Sequence, residues 1–199
     1  ALVRPDSVHR DVYRDPEIFE IEMERLWRRA WVSLGHDSQV ANNGDYYTCE
    51  IAGQPLIMIR DNESKIQVLM NRCAHKGAKL LSATQGNCGG ILRCPYHGWT
   101  YRSDGGIRTI PLRSGYADAG LNAAAASCGV IRLENVVVYR GFVFVRLSAD
   151  GPSFADYFGG SLTSIDNMAD RSPAGSLQVA GGVLRYLHDC NWKMFIENL

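Results

Sequence analysis

Cys73-Ala74-His75-Lys76-Gly77-Ala78 and Cys94-Pro95-Tyr96-His97-Gly98-Trp99-Thr100-Tyr101 decide how this chain is read. Each stretch offers one thiol and one imidazole, and 18 residues separate His75 from Cys94. Two soft anionic ligands and two neutral nitrogen ligands make a donor set that is uneven in charge. Such a set can close a tetrahedron around Zn²⁺. It can also divide over a [2Fe–2S] cluster, with two thiolates on one iron and two imidazoles on the other.

The spacing separates these options. Structural zinc sites usually group like with like, as Cys-x₂₋₄-Cys followed by His-x₃₋₅-His. Here each half mixes the types, and only Ala74 lies between the first Cys and His. A one-residue gap suits two side chains that reach different atoms of a cluster. Gly77, Gly98 and Pro95 suit tight loops around it. The four candidate ligands are therefore Cys73, His75, Cys94 and His97, with zinc as the rival occupant.

These two stretches resemble the Rieske motif of aromatic-ring-hydroxylating oxygenases, in the large (α) subunit. Ala74 and Lys76 stand where that family often carries arginine; the ligand set is unaltered. The closing residues Asn191-Trp192-Lys193-Met194-Phe195-Ile196-Glu197-Asn198-Leu199 resemble the family segment that leads to a mononuclear iron held by two His and one carboxylate. The resemblance implies that Asn198 lies near that iron without ligating it, and that the iron's own ligands are not among these residues. It also implies a Rieske cluster that takes electrons from a ferredoxin or reductase and feeds a non-haem Fe(II). There O₂ would be activated for ring hydroxylation, most commonly dioxygenation, of an aromatic small molecule. A homotrimer of α subunits, with or without β subunits, is implied as well. His97 would then be the intersubunit link, with Trp99 near the same junction. The alternative is a stand-alone Rieske-type ferredoxin that only transfers electrons.

The surroundings agree with a globular enzyme component. The chain has 199 residues, 46% hydrophobic and 21% charged, with 21 basic and 21 acidic side chains. A net charge of zero lends no bulk electrostatic support to nucleic-acid or anionic-membrane binding. The apolar runs fall short of the roughly 20 residues a membrane helix needs. Six cysteines are too widely scattered for a disulfide framework. Cys49, Cys88, Cys128 and Cys190 read as reduced, mostly buried thiols, which suits the cytoplasm.

Along the chain, Asp15 and Pro16 predict a helix start. Phe19, Met23, Leu26 and Ala30 continue it at helical spacing. Short strands then follow. Asp45–Ala52 and Pro55–Asp61 form a hairpin around Gly53-Gln54, and Lys65–Asn71 comes next. Trp99–Arg102 pairs with Ile107–Ile110, and Val130–Val138 with Gly141–Leu147. Gly115–Gly129 reads as a loop with some helical character. Helices are expected at Phe154–Phe158 and Leu162–Met168, and a strand at Ser176–His188. Trp192, Phe195, Ile196 and Leu199 mark one face of a last helix. His9, His36 and His188 lack metal-site spacing and read as structural.

The expected fold is mainly β, a Rieske-type antiparallel barrel or sandwich with an N-terminal helix and the start of an α+β catalytic domain. The expected organisation is a bracing segment over 1–35, the cluster domain over 36–150 and the catalytic start over 151–199.

Overall fold

The computed structural model describes residues 2–119 and 128–197. Asn198 and Leu199 lie outside the described residues, as does most of the loop expected at 115–129. The described start of that loop is a 3₁₀ segment, Arg113–Ala119.

Three antiparallel sheets form the body, after a two-stranded ribbon of β1 (Val3–Arg4) and β2 (Ser7–Val8). The largest has the order β6-β5-β4-β7, from β4 (Asp45–Ile51), β5 (Gln54–Arg60), β6 (Ile66–Met70) and β7 (Gln85–Asn87). A second contains β8 (Ile91–Arg93), β9 (Thr100–Arg102) and β10 (Ile107–Thr109), ordered β10-β9-β8. The third joins β3 (Val32–His36) to β12 (Phe142–Val145) and β11 (Val136–Tyr139), with β12 central.

The strand period explains how the sheets stack. In β5 the run Leu56-Ile57-Met58-Ile59 is fully buried. Successive side chains point to opposite faces, so a strand covered on both faces needs an unbroken apolar run. Ile57 and Ile59 enter a core shared with Leu69, Leu92, Trp99 and Tyr101. Leu56 and Met58 enter another with Leu34, Val40, Val68, Val143 and Val145. Each such side chain stabilises the fold by about 1.5–3 kcal/mol. The first core also holds Cys73 and Cys94, so the candidate ligand loops grow directly out of packed structure.

The β5–β6 turn is fastened by one buried carboxylate. Asp61 accepts from the amides of Glu63 and Lys65 and from Gln67 Nε2. Burial pushes its carboxyl up, but these hydrogen bonds and the Lys65 charge outweigh burial and hold it below the usual range. A lowered folded-state pKa stabilises the fold above the unfolded value of about 3.9, and that contribution disappears as pH falls through the folded value. Asp61→Asn should therefore cost about 1–2 kcal/mol at neutral pH. Urea midpoints at pH 7 and near pH 3 check this: the gap from wild type should close in acid.

The N-terminal helix starts as its sequence predicts. Asp15 caps α2 (Pro16–Glu22), following the short α1 (Asp11–Arg14), and receives a hydrogen bond from the Glu17 amide at 2.8 Å. It then widens into a π-helical turn over Met23–Trp27. Beyond the sheets come α3 (Phe154–Phe158), α4 (Leu162–Ala169) and α5 (Trp192–Ile196). Glu22 ties the two ends together, accepting from Trp192 Nε1 at 2.9 Å and Lys193 Nζ at 2.5 Å. The Trp27 and Trp192 rings meet edge to face at 5.1 Å. Of the predicted apolar face of α5, Trp192 packs in this way, whereas Phe195 and Ile196 are about half exposed.

Two strand expectations are corrected. Ser176–His188 is irregular and exposed. Its apolar residues have no ladder partner among the described residues, and Gly181 and Gly182 both take positive φ, which breaks an extended run. Val130–Val138 is a strand only from Val136. Its first part runs irregularly beside β6 through Met70 N to Ile131 O and Leu133 N to Val68 O. Asn135, bonded to the carbonyl of Ser148, then turns the chain. Among the remaining cysteines, Cys128 is buried and Cys49 and Cys88 are partly buried, but Cys190 is exposed. Its expected burial is therefore corrected: it sits at the end of the unpaired stretch, with no sheet to cover it.

Candidate functional site

The two ligand stretches fold into matching loops. In the first, Cys73 N donates to Ala78 O and Gly77 N to Cys73 O, both at 2.8 Å. In the second, Cys94 N donates to Trp99 O at 2.8 Å and Gly98 N to Cys94 O at 3.1 Å. Gly77 and Gly98 have φ of 72° and 70°, a left-handed conformation that glycine adopts without penalty. Both glycines stand four positions after their cysteine. That shared offset accommodates a one-residue Cys–His gap in one loop and a two-residue gap in the other.

The loops are anchored differently. The second is the β8–β9 hairpin connection, with Arg93 paired to Thr100 at its base. The first leaves β6 and is closed by Asn71, which is buried. Asn71 Oδ1 accepts from Leu80 N and Leu81 N, each at 3.0 Å, and Nδ2 donates to Leu81 O at 2.8 Å. Sequence reasoning missed Asn71; its only signal is a polar residue two positions before Cys73 at a strand end.

The four candidate side chains come together as two like pairs. Cys73 and Cys94 are both buried, and the two thiols are close enough to raise the Cys73 pKa. Burial is the larger cause of that rise, opposed by Tyr101 and the His75 amide. The His75 and His97 rings lie 4.7 Å apart between centroids. His75 is half-buried and His97 exposed. Among the described residues, no three His, Cys, Asp or Glu side chains converge on a single ion.

Aromatic residues set the ring positions. Trp99 stacks on His75 at 4.8 Å and 5°, and Tyr116 meets His75 edge on at 6.0 Å. Tyr101 Oη lies 2.9 Å from Cys73 Sγ and accepts from Ala74 N at 3.2 Å. Trp99 and Tyr101 are two apart and share a face of the chain entering β9. That alternation was the available clue to Tyr101, to which sequence reasoning assigned no role.

The donor set fits a cluster on its own evidence. His75 Nδ1 is buried without a hydrogen-bond partner among the described residues, and an unsatisfied buried nitrogen is costly unless something ligates it. Desolvation first, then positive charge at His97 and Lys76, lowers the His75 pKa, favouring the neutral form that binds metal. The Cys73 thiol, raised by burial, would lose its proton to a metal.

The other histidines lie apart in role. His9 is exposed. His36 is buried and caps the 3₁₀ turn Asp37–Val40, its Nδ1 at 2.9 Å from Ser38 Oγ. His188 is exposed, with its ring 5.6 Å from that of Phe195.

Residues 30–124 match the family model described as the Rieske [2Fe–2S] domain. The chain is 35% identical over 192 residues to the anthranilate 1,2-dioxygenase large subunit of Acinetobacter baylyi, covering 96% of this chain and 40% of that relative. It is 31% identical to the biphenyl dioxygenase subunit alpha of Paraburkholderia xenovorans, over 94% of this chain and 41% of the relative. Among solved structures, naphthalene 1,2-dioxygenase from Rhodococcus sp. bound to indole superimposes with a TM-score of 0.85 at 34% identity, covering 92% of this chain and 41% of that one. A quaternary ammonium Rieske monooxygenase in complex with L-carnitine gives 0.70 at 26% identity, over 78% of this chain and 43% of that one. The chain thus spans about 40% of the length of the curated relatives it matches.

Proposed function

We propose that the chain forms the electron-accepting part of a Rieske aromatic-ring-hydroxylating oxygenase large subunit, a reading supported by its match to the Rieske [2Fe–2S] domain and its similarity to such subunits. Cys73, His75, Cys94 and His97 are the proposed cluster ligands. The observation that carries this reading is the pairing of thiol with thiol and imidazole with imidazole on two loops of identical backbone bonding. A cluster held in this way supplies reversible one-electron storage at a potential far above that of all-cysteine centres.

The chain's own residues then have distinct tasks. Cys73 and Cys94 would take one iron from the buried side, and His75 and His97 the other from the open side. Trp99 and Tyr116 hold the His75 ring in one orientation, which fixes the nitrogen it presents. With Cys73 as a thiolate ligand, the Tyr101 hydroxyl 2.9 Å away would donate toward its Sγ and stabilise extra negative charge there. Tyr101→Phe should therefore lower the reduction potential while leaving the cluster assembled. A differential hydrogen-bond strength of about 1 kcal/mol corresponds to about 40 mV for a one-electron couple. Spectroelectrochemical titration of the variant measures it.

For the complete oxygenase we propose a ferredoxin or reductase as donor and an aromatic small molecule with O₂ as substrates. We further propose α-subunit trimers, with or without β subunits, and a cytoplasmic location. A mononuclear non-haem Fe(II) would supply O₂ activation, and dioxygenation is the proposed outcome. The exposed ring of His97 can offer its second nitrogen to a neighbouring subunit. We retain 36–150 as the cluster unit and 151–199 as the approach to the catalytic domain. Among the described residues, no helix is long and apolar enough to cross a membrane. The stand-alone ferredoxin is the weaker reading, because similarity to oxygenase subunits covers 96% of this chain and runs past the cluster domain.

The test supplies the complete subunit with reductant, donor and ¹⁸O₂ across a panel of benzoates and aromatic hydrocarbons. A dihydrodiol carrying two labelled oxygens is expected. Cluster reduction without hydroxylation of any panel member would contradict the proposal.

A further inference from the structure

The irregular run at 176–188 is fastened to the body at two points. Val179 N donates to Ser38 Oγ at 3.0 Å. Arg185 Nη2 donates to Tyr47 Oη at 2.6 Å, with the guanidinium 5.6 Å from the centre of the Tyr47 ring. Between these pins Gly181 and Gly182 take φ of 76° and 92°, a left-handed bend that a residue with a Cβ resists. The chain bows away from the sheet there and leaves a cavity of about 380 Å³, a volume within the range of small-molecule sites. The cavity stands apart from the proposed cluster site. On β4, Tyr46 packs in the core that holds Cys73 and Cys94, whereas Tyr47 packs in the other core.

Its wall carries hydrogen-bond donors and one positive charge. Ser38, Gln39, Tyr47, Thr84, Gln85 and Arg185 line it, and among the described residues no Asp or Glu does. None of the ion pairs among the described residues uses Arg185. Gln39 is already held in place, because its Oε1 accepts from His36 N at 2.7 Å; its Nε2 is left to donate. Thr84 and Gln85 belong to the edge of the large sheet, where Gln85 pairs with Tyr47. Their side chains make no hydrogen bond among the described residues. Val179 and Val183 supply the apolar part of the lining.

We propose that this cavity binds a small organic carboxylate. Arg185 spends one donor on Tyr47 and keeps others, and its planar fork matches a carboxylate. Its charge is felt on β4, where it opposes the burial that pushes the Cys49 thiol up to about 12. One cation with no acid in the lining selects a single negative charge. A bare inorganic anion would leave most of the volume to water and Val179 and Val183 uncovered, whereas a short hydrocarbon body covers them. The fixed Gln39 and the two pins place donors before a ligand arrives, which lowers the cost of binding. A ligand held here bridges the 179–185 strap and the sheet edge, so its binding fastens the strap. The proposal stands independently of the electron-accepting role.

Isothermal titration of the complete subunit with hexanoate tests this, with hexanamide and inorganic phosphate as comparison ligands. Hydrogen–deuterium exchange locates the site. Hexanoate should slow amide exchange at 179–185 and bind at least about tenfold more tightly than hexanamide or phosphate. Arg185→Gln should weaken hexanoate at least about tenfold, and Arg185→Lys should restore part of the loss. Gln85→Glu adds a carboxylate to the lining, leaves the Arg185–Tyr47 contact in place, and should weaken hexanoate to a similar degree. All three variants should keep the far-ultraviolet circular dichroism of wild type. No hexanoate binding, binding without slower exchange at 179–185, or equal affinity for hexanamide would overturn the proposal. Equal affinity for phosphate would also overturn it, by making the cavity a general anion site. If Arg185→Gln does not fold, Gln85→Glu decides, and an unchanged affinity there sinks the proposal.

Discussion

Cys94→Ala should yield a folded chain with no [2Fe–2S] cluster. Cys94 is 2% exposed, sits beside Cys73 and is one of the two thiols carried by the paired loops. Its removal would leave one iron with a single protein ligand, and the neighbouring hydroxyl and amide groups cannot replace a thiolate. The loop itself should persist, because its closing bonds run through main-chain atoms, Cys94 N to Trp99 O and Gly98 N to Cys94 O, which alanine retains. Visible absorbance and bound iron should both fall to background while far-ultraviolet circular dichroism stays close to wild type. Cys49→Ala is the control: Cys49 lies on β4 against the other core, so that variant should keep its full cluster. Retention of the cluster by Cys94→Ala would remove this residue from the ligand set.

The second large effect is structural. Trp99→Ala should destabilise the complete domain by about 3–5 kcal/mol, the usual cost of truncating a buried tryptophan. For a chain of this size that corresponds to a fall in Tm of about 6–20 °C. Trp99 is buried in the core that also holds Tyr101, Leu92 and both ligand cysteines. It also covers one face of His75 in a near-parallel stack. Truncation therefore both opens a cavity and frees the imidazole to rotate. Cluster loss on dilution or chelation should be faster than in wild type, and Trp99→Phe should recover most of the stability. A Trp99→Ala variant as stable as wild type would mean that the stack is incidental.

The sequence made some of this legible and hid the rest, for physical reasons. The Cys–His pairs were legible because ligand spacing is a local constraint. The Asp45–Arg60 hairpin was legible because its apolar run and its Gly53 turn are local too. Asp15 and Pro16 marked a helix start through the chemistry of orphan amides. What stayed hidden depends on partners distant in sequence. Gln85–Asn87 carries no apolar residue, yet it pairs with β4. The Ser176–His188 run has residues that favour strands, but strand propensity forms nothing without a neighbouring ladder. The π turn at Met23–Trp27 has no sequence signature in the Phe19–Ala30 periodicity. At the site, the ligand types could be named in advance, but Asn71 closing the first loop and Tyr101 reaching Cys73 could not. Each acts through a contact that only the folded chain creates.

The most direct test is to determine what the two loops hold in purified protein. Metal and acid-labile sulfide analysis should find about two iron and two sulfide per chain. Pulsed EPR on the reduced sample should show coupling to two histidine nitrogens, and both couplings should vanish in a His75→Ala/His97→Ala variant. One zinc per chain without sulfide, or a reduced cluster with no nitrogen coupling, would contradict the account.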